Sequence, residues 1–325
     1  HKSLQKMQKM NVLVIGEVII DEYKYVKPMG KSAKENIIGH QYINNEIYCG
    51  GSLATALVVS EFSKSVTLLT SMKDDYYKKY INKKIETRKN IKIKSYNSKN
   101  IKTPHKTRYI ENSFFRKLFA SYNLDDEMID LKTEYKIIKY INENIKKYDL
   151  VIINDFGHYL FTKKIIKKLS SLKKFKSVNV QSNSSNYGYN LISKYQNMNY
   201  TCIDEPEARL AVSDSSSKID DIIVNKLRKL HKTKQLMITL GHRGCIVDNK
   251  NSVYNLPALA SKVSDTMGAG DAFFAITSMF AYLNSKSEIL ALVGNIVGAI
   301  KVNIIGHREH VTKISFIKYL ETILK

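Results

Sequence analysis

One carboxylate stands where two glycines open a helix: Ser264-Asp265-Thr266-Met267-Gly268-Ala269-Gly270-Asp271. Phe273, Ile276, Phe280 and Leu283 follow at helical spacing, so a buried helix is expected to begin at the glycines. Backbone N–H groups at a helix start have no intrahelical partner and feel the positive end of the helix dipole. Such a spot suits a phosphoryl group whose charge grows during transfer. An aspartate there would repel a resting phosphate, and it makes chemical sense as the base that takes a proton from an attacking hydroxyl. The other reading is an ordinary glycine turn with Asp265 or Thr266 as helix cap. Spacing alone leaves both open. No P-loop pattern exists, and the third glycine of a dinucleotide fingerprint is missing.

The remaining polar residues of interest sit at the ends of short apolar runs. Asn11 to Asp21 reads as a buried parallel strand ended by acids. Tyr148 to Ile153 runs into Asn154-Asp155, and Val178 and Val180 into Gln181-Ser182-Asn183. Tyr200 to Ile203 ends at Asp204-Glu205-Pro206-Glu207, and Leu236 to Leu240 at Gly241-His242-Arg243-Gly244. Helical patterns lie between most of these runs. The expected fold is α/β: a doubly wound, mostly parallel sheet with helices on both faces and ligands outside the carboxyl ends of the strands. Two stretches, about 23–48 and 102–124, are polar, rich in Tyr and Ile, and lack helical period. They are expected to form a small β-sheet lid. Residues 1–10 read as a basic leader and 11–325 as one domain carrying that lid.

Composition narrows the class. Of 325 residues, 43% are hydrophobic and 25% charged, which excludes global disorder. The three cysteines, Cys49, Cys202 and Cys245, form no C-x-x-C pair and favour a reducing, cytoplasmic setting. Cys49 is read as a small packed residue. No apolar run reaches the ~18 residues that cross a bilayer, so no membrane partner is expected. The balance of 52 Lys and Arg against 30 Asp and Glu gives +22. These lysines are dispersed: from Lys163 to Lys174 they flank Ile165, Ile166, Leu169 and Leu172, which share one helical stripe. That is a solvated face over a buried one, and no specific nucleic-acid partner is expected. A positive field would still draw in ATP or a sugar phosphate. His307 and His310 lack a third ligand for zinc. The first residue is His1, not Met, which leaves room for a longer parent chain.

D-T-M-G-A-G-D-A-F resembles the signature of the PfkB/ribokinase family of sugar and nucleoside kinases, matching its whole D-T-x-G-A-G-D pattern. Other segments fall in the family's order: G-E-V-I-I-D at 16–21, C-G-G-S-L-A-T-A at 49–56, D-E-P-E at 204–207, T-L-G-H-R-G at 239–244 and G-N-I-V-G-A at 294–299. The resemblance implies a ribokinase-like fold and an ATP-dependent sugar kinase. It implies Asp271 as base and the N–H groups of Gly268, Ala269 and Gly270 as anion hole. Asp21, Gly50 and Gly51 would hold the sugar, with Lys106 and Arg108 on a substrate phosphate. Asp21 could equally be a solvated acid, the glycine pair a tight turn, and the two cations surface groups. Thr239, Gly241, Gly244 and Asn295 would line the nucleotide site. Glu207 and Asp204 would serve magnesium through water, although Glu207 could equally be a helix-start acid after Pro206. A monovalent cation such as potassium is also admitted.

Within the family, G-E-V-I-I-D-E-Y-K-Y-V, G-K-S-A-K-E and N-D-F-G-H look closest to heptose 7-phosphate kinases, which are often fused to a nucleotidyltransferase that makes an ADP-activated heptose. The preferred acceptor would then be the anomeric hydroxyl of a heptose 7-phosphate, in a homodimer paired through the lid. The alternatives are a ribose-, fructose- or adenosine-type kinase and a catalytically silent kinase-like subunit. Four positions depart from the family pattern: Glu17 for Asp, Ala54 for a sugar-binding Asn, Tyr159 for Gly and Asp204 for Asn.

Overall fold

The computed structural model describes residues 2–125, 127–249 and 252–325. In chain order the strands are β1 (Asn11–Gly16), β2 (Val18–Lys31), β3 (Ile38–Gly51), β4 (Ser65–Ser71), β5 (Ile91–Tyr96), β6 (His105–Glu111) and β7 (Arg116–Asn123). They continue with β8 (Leu150–Asp155), β9 (Phe175–Val180), β10 (Met198–Asp204), β11 (Thr233–Thr239), β12 (Cys245–Asp248) and β13 (Val253–Leu256). Nine form one sheet in the order β13-β12-β11-β10-β9-β8-β1-β4-β5. From β11 to β5 every pairing is parallel, while β12 and β13 add an antiparallel edge. Apolar clusters cover both faces, one built around Leu53, Phe274 and Ile296 and the other around Ile137, Ile165 and Leu236. Burial on both sides explains why β1 and β8 read as continuous Val/Ile/Leu runs.

The second sheet has the order β3-β2-β6-β7. Its first strand begins earlier than the composition suggests. The run Asn11–Asp21 is not one strand: the chain leaves the main sheet at Glu17 and enters the small sheet at Val18. The buried Glu17 carboxylate fixes the switch by accepting the N–H groups of Phe156, His158 and Leu160. Residues 18–22 and 48–51 are buried on both sides, so their apolar character hides the change of sheet.

Residues 2–7 of the basic leader form a helix, and Leu4, Met7 and Met10 join the core cluster around Phe62. Full burial of one such side chain contributes about 1.5–3 kcal/mol. Among the described residues no helix is long and apolar enough to cross a membrane.

Candidate active site

The helix Ala269–Tyr282 starts at Gly268, whose φ of 69° is left-handed. No side chain caps this start, so neither Asp265 nor Thr266 is the helix cap. Asp265 braces the turn instead. It accepts from Tyr23 Oη at 2.7 Å, Lys117 Nζ at 2.6 Å, the Gly306 N–H at 2.8 Å and the Met267 N–H at 3.2 Å. Lys117 leads the interactions that hold its carboxyl at about 2 against the opposing effect of burial. The first-turn N–H groups of Gly270 and Asp271 lie where a helix leaves its donors free. The Ala269 N–H, expected in the anion hole, donates to Thr266 O at 3.2 Å, and Ala269 lines the cavity that Phe273 also lines.

Two cavities meet at this turn. One, of about 370 Å³, is lined by Asp21, Gly51, Lys106, Arg108, Gly268 and Asp271, with Asp204 and Glu207 at its other wall. The other, of about 730 Å³, is lined by Gly241, Gly244, Phe273, Asn295, Gly298 and Val302. Thr239, Asp204, Thr266 and Gly270 belong to both.

Asp271 is buried, and its Oδ1 accepts from Gln181 Nε2 at 3.0 Å. Burial first, and then the charge of Asp21, push its pKa up to about 7. Lys301, Lys106 and the Gln181 hydrogen bond act in the opposite direction. A carboxylate tuned this way can take a proton near neutral pH. Arg108 Nη1 lies 2.5 Å from Asp21 Oδ1, and burial pulls the Lys106 ammonium below its usual range. Gly50 does not line the cavity. It lies behind Asp21, where a Cβ would come 2.2 Å from Oδ2.

Asp204 and Glu207 form a reciprocal cap on the helix Glu205–Ala211. Asp204 Oδ1 accepts the Glu207 N–H, Glu207 Oε2 accepts the Asp204 N–H, and Glu207 Oε1 accepts the Ser182 N–H. Burial first, then Asp204, push Glu207 up to about 8. Both Glu207 oxygens are engaged, so the pair fits magnesium held through water better than by direct ligation. Among the described residues no group of three or more His, Cys, Asp or Glu could hold a metal.

Three of the departures prove to lie away from the cavity. Glu17 faces the 156–160 backbone, and Ala54 lines a small void shared with Gly268 and Lys301. Tyr159 adopts a φ of 66°, a left-handed conformation that costs a non-glycine residue roughly 1–2 kcal/mol. Lys117, which sequence reading missed, and Gln181 and His307, to which it gave no site role, all line the smaller cavity. His310 Nε2 lies 2.9 Å from Glu61 Oε1 and 3.0 Å from Arg88 Nη2. Cys49 is buried, and burial pushes its thiol up to about 12, as befits a packed residue. Asn295 Nδ2 donates to Ala291 O at 3.1 Å, while the residue lines the larger cavity.

Residues 9–313 match the family described as pfkB family carbohydrate kinase. The chain belongs to that family. It is a carbohydrate kinase, a phosphotransferase with an alcohol group as acceptor. Curated relatives include the bifunctional protein HldE of Aliarcobacter butzleri, 25% identical over 276 residues and covering 82% of this chain and 56% of the relative. The bifunctional protein HldE of Campylobacter jejuni subsp. doylei is 24% identical over 307 residues, covering 91% and 63%. The chain therefore spans about three-fifths of the length of these relatives. Phosphofructokinase-2 from Escherichia coli, solved in complex with potassium, superposes with a TM-score of 0.77 at 12% identity, covering 98% of this chain and 100% of that one. The ribokinase from Thermotoga maritima gives 0.75 at 16% identity, covering 96% and 99%. These likenesses establish the ribokinase-like PfkB fold.

Proposed function

We propose that this PfkB kinase transfers the γ-phosphoryl group of ATP to a phosphorylated sugar, with the anomeric hydroxyl of a heptose 7-phosphate as preferred acceptor. The observation that carries the reading is Asp271 in the wall of the smaller cavity, next to Gly270, which lines both cavities. The smaller cavity would take the acceptor. Its three cations Lys106, Arg108 and Lys117 favour one that bears a phosphate. The larger cavity, with apolar walls at Leu259, Val263, Phe273 and Val302, would take the nucleotide.

In this reading Asp271 removes the hydroxyl proton, and the hydroxyl oxygen attacks the γ-phosphorus in line as the bond to ADP breaks. The Gly268 and Gly270 N–H groups hold the charge on the transferring group. Magnesium, when bound near Asp204 and Glu207, neutralises charge on the ATP phosphates. Closure of the small sheet would exclude water and limit idle hydrolysis of ATP.

The heptose assignment is supported by the segments that resemble heptose 7-phosphate kinases and by relatives named as bifunctional proteins. Those relatives also support a nucleotidyltransferase in a longer parent chain. Exposed Ile38, Tyr42 and Phe119 on the small sheet support a homodimer paired there, which light scattering checks.

The deciding experiment is sugar-dependent ADP release across heptose 7-phosphate, fructose 6-phosphate, ribose, fructose and adenosine. Preference for heptose 7-phosphate supports the reading. Preference for another acceptor keeps the transfer chemistry and discards the heptose. Bound ATP with no turnover on any acceptor would contradict the whole reading.

A further inference from the structure

The mechanism above gives no role to a buried charge that shares a small void with Gly268. Lys301 ends the helix Ser287–Lys301 and is 2% exposed. A lysine near a helix C-terminus can bind the last carbonyls from solvent. Burying the ammonium adds a desolvation cost that a capping role does not require. What Lys301 binds is Gly306 O, at 2.6 Å and beyond the helix end. Gly306 donates its N–H to Asp265 Oδ2 and sits at a φ of 53° against the Tyr48 ring. The next residue, His307, lies over the anion-hole glycine: a Cβ on Gly268 would come 2.3 Å from His307 Cε1. One ammonium thus anchors the segment that backs Gly268. It is also the strongest charge opposing the upward push of burial and Asp21 on Asp271.

A bound potassium ion needs several oxygen donors free to replace its water. Behind the anion hole these donors are taken. Gly306 O is bonded to Lys301, and Asp265 is bonded to Lys117, Tyr23 and two backbone N–H groups. The site as built does not fit a monovalent cation. We propose that Lys301 is a built-in cation, a positioning residue that holds Gly306 and His307 against Gly268, offsets the charge of Asp265 and Asp271, and makes transfer independent of added potassium.

The proposal rests on transfer taking place at Gly268–Asp271, and its test separates the two claims. Turnover of the wild type with magnesium-ATP and its best sugar is compared in tetramethylammonium buffer with and without potassium. The expected change is less than about two-fold. Lys301→Met is expected to lose about ten-fold or more in kcat with KM values nearly unchanged, and potassium or ammonium should restore part of the loss. Thermal denaturation gives a readout that does not depend on turnover. Potassium should raise the midpoint of Lys301→Met and leave that of the wild type in place. A wild type activated ten-fold or more by potassium overturns the proposal, whether or not the variant folds. A folded Lys301→Met with full turnover in the absence of potassium overturns it too. Loss of the transfer reading alone would appear as an active Asp271→Asn, with the denaturation results for Lys301 unaffected.

Discussion

The two cavities on either side of Gly270 are built from opposite materials. The smaller is walled by charge: Asp21 and Arg108 face each other, Lys106 and Lys117 stand nearby, and Asp271 lies at the base. The larger is walled by Leu259, Val263, Phe273 and Val302, with small residues at Gly298 and Ala299. Burial first, and then Asp21 on that side, raise the pKa of Asp271, the carboxylate proposed as base, while Lys106 opposes them. An apolar slot on the other side suits a flat ring without disturbing that tuning. On the proposed reading, orientation and proton chemistry fall to the cavity that would take the acceptor, and bulk binding to the cavity that would take the nucleotide.

Substitutions can break this division one side at a time. Asp271→Asn is expected to cost about 10²–10⁴ in kcat while ATP and sugar still bind, as read by turnover against calorimetric titration. Arg108→Met should raise KM for a phosphorylated acceptor by about ten- to a hundred-fold, since a charged hydrogen bond is worth about 1.5–3 kcal/mol, and leave KM for ATP unchanged. Gly298→Val places a side chain in the larger cavity and should raise KM for ATP about ten-fold with the acceptor KM unchanged. Equal effects of the last two on both substrates would mean that the cavities are not separate sites.

The smallest effect concerns stability alone. Burial, then Asp155, push Glu17 up to about 8, so the folded chain keeps a proton that the unfolded chain releases above the usual glutamate range. Stability contributed by that proton is present at low pH and is lost as pH rises toward 8. Glu17→Gln keeps an acceptor for the 156–160 N–H groups. It should flatten the fall between pH 6.5 and 8 by about 1 kcal/mol per pH unit, measured by denaturant unfolding.

Much of the architecture was legible because parallel strands buried on both faces write themselves as short apolar runs ended by polar residues. The glycine-aspartate start of the helix Ala269–Tyr282 was legible for the same reason, since a helix opening leaves a local signature. What was hidden depends on packing between distant segments. Nothing near Gly50 says that its missing Cβ makes room for Asp21. Lys117 lies in β7, an edge strand of mixed polarity, and reaches Asp265 only because the small sheet folds against the turn before the helix Ala269–Tyr282. His307 drew notice for its spacing to His310, yet its place is over Gly268, which the turn at Gly306 decides. The sheet switch at Glu17 was masked because apolar residues continue on both sides of it.

The most direct test of the central claim is the pH dependence of kcat/KM for the wild type and Asp271→Asn side by side. The account predicts that wild-type kcat/KM rises about ten-fold per pH unit up to about pH 7 and then levels, because Asp271 must lose its proton to act as base. The residual activity of Asp271→Asn should lack that limb. The same limb in both proteins would contradict the account, since another group would then be titrating and Asp271 would not be the base.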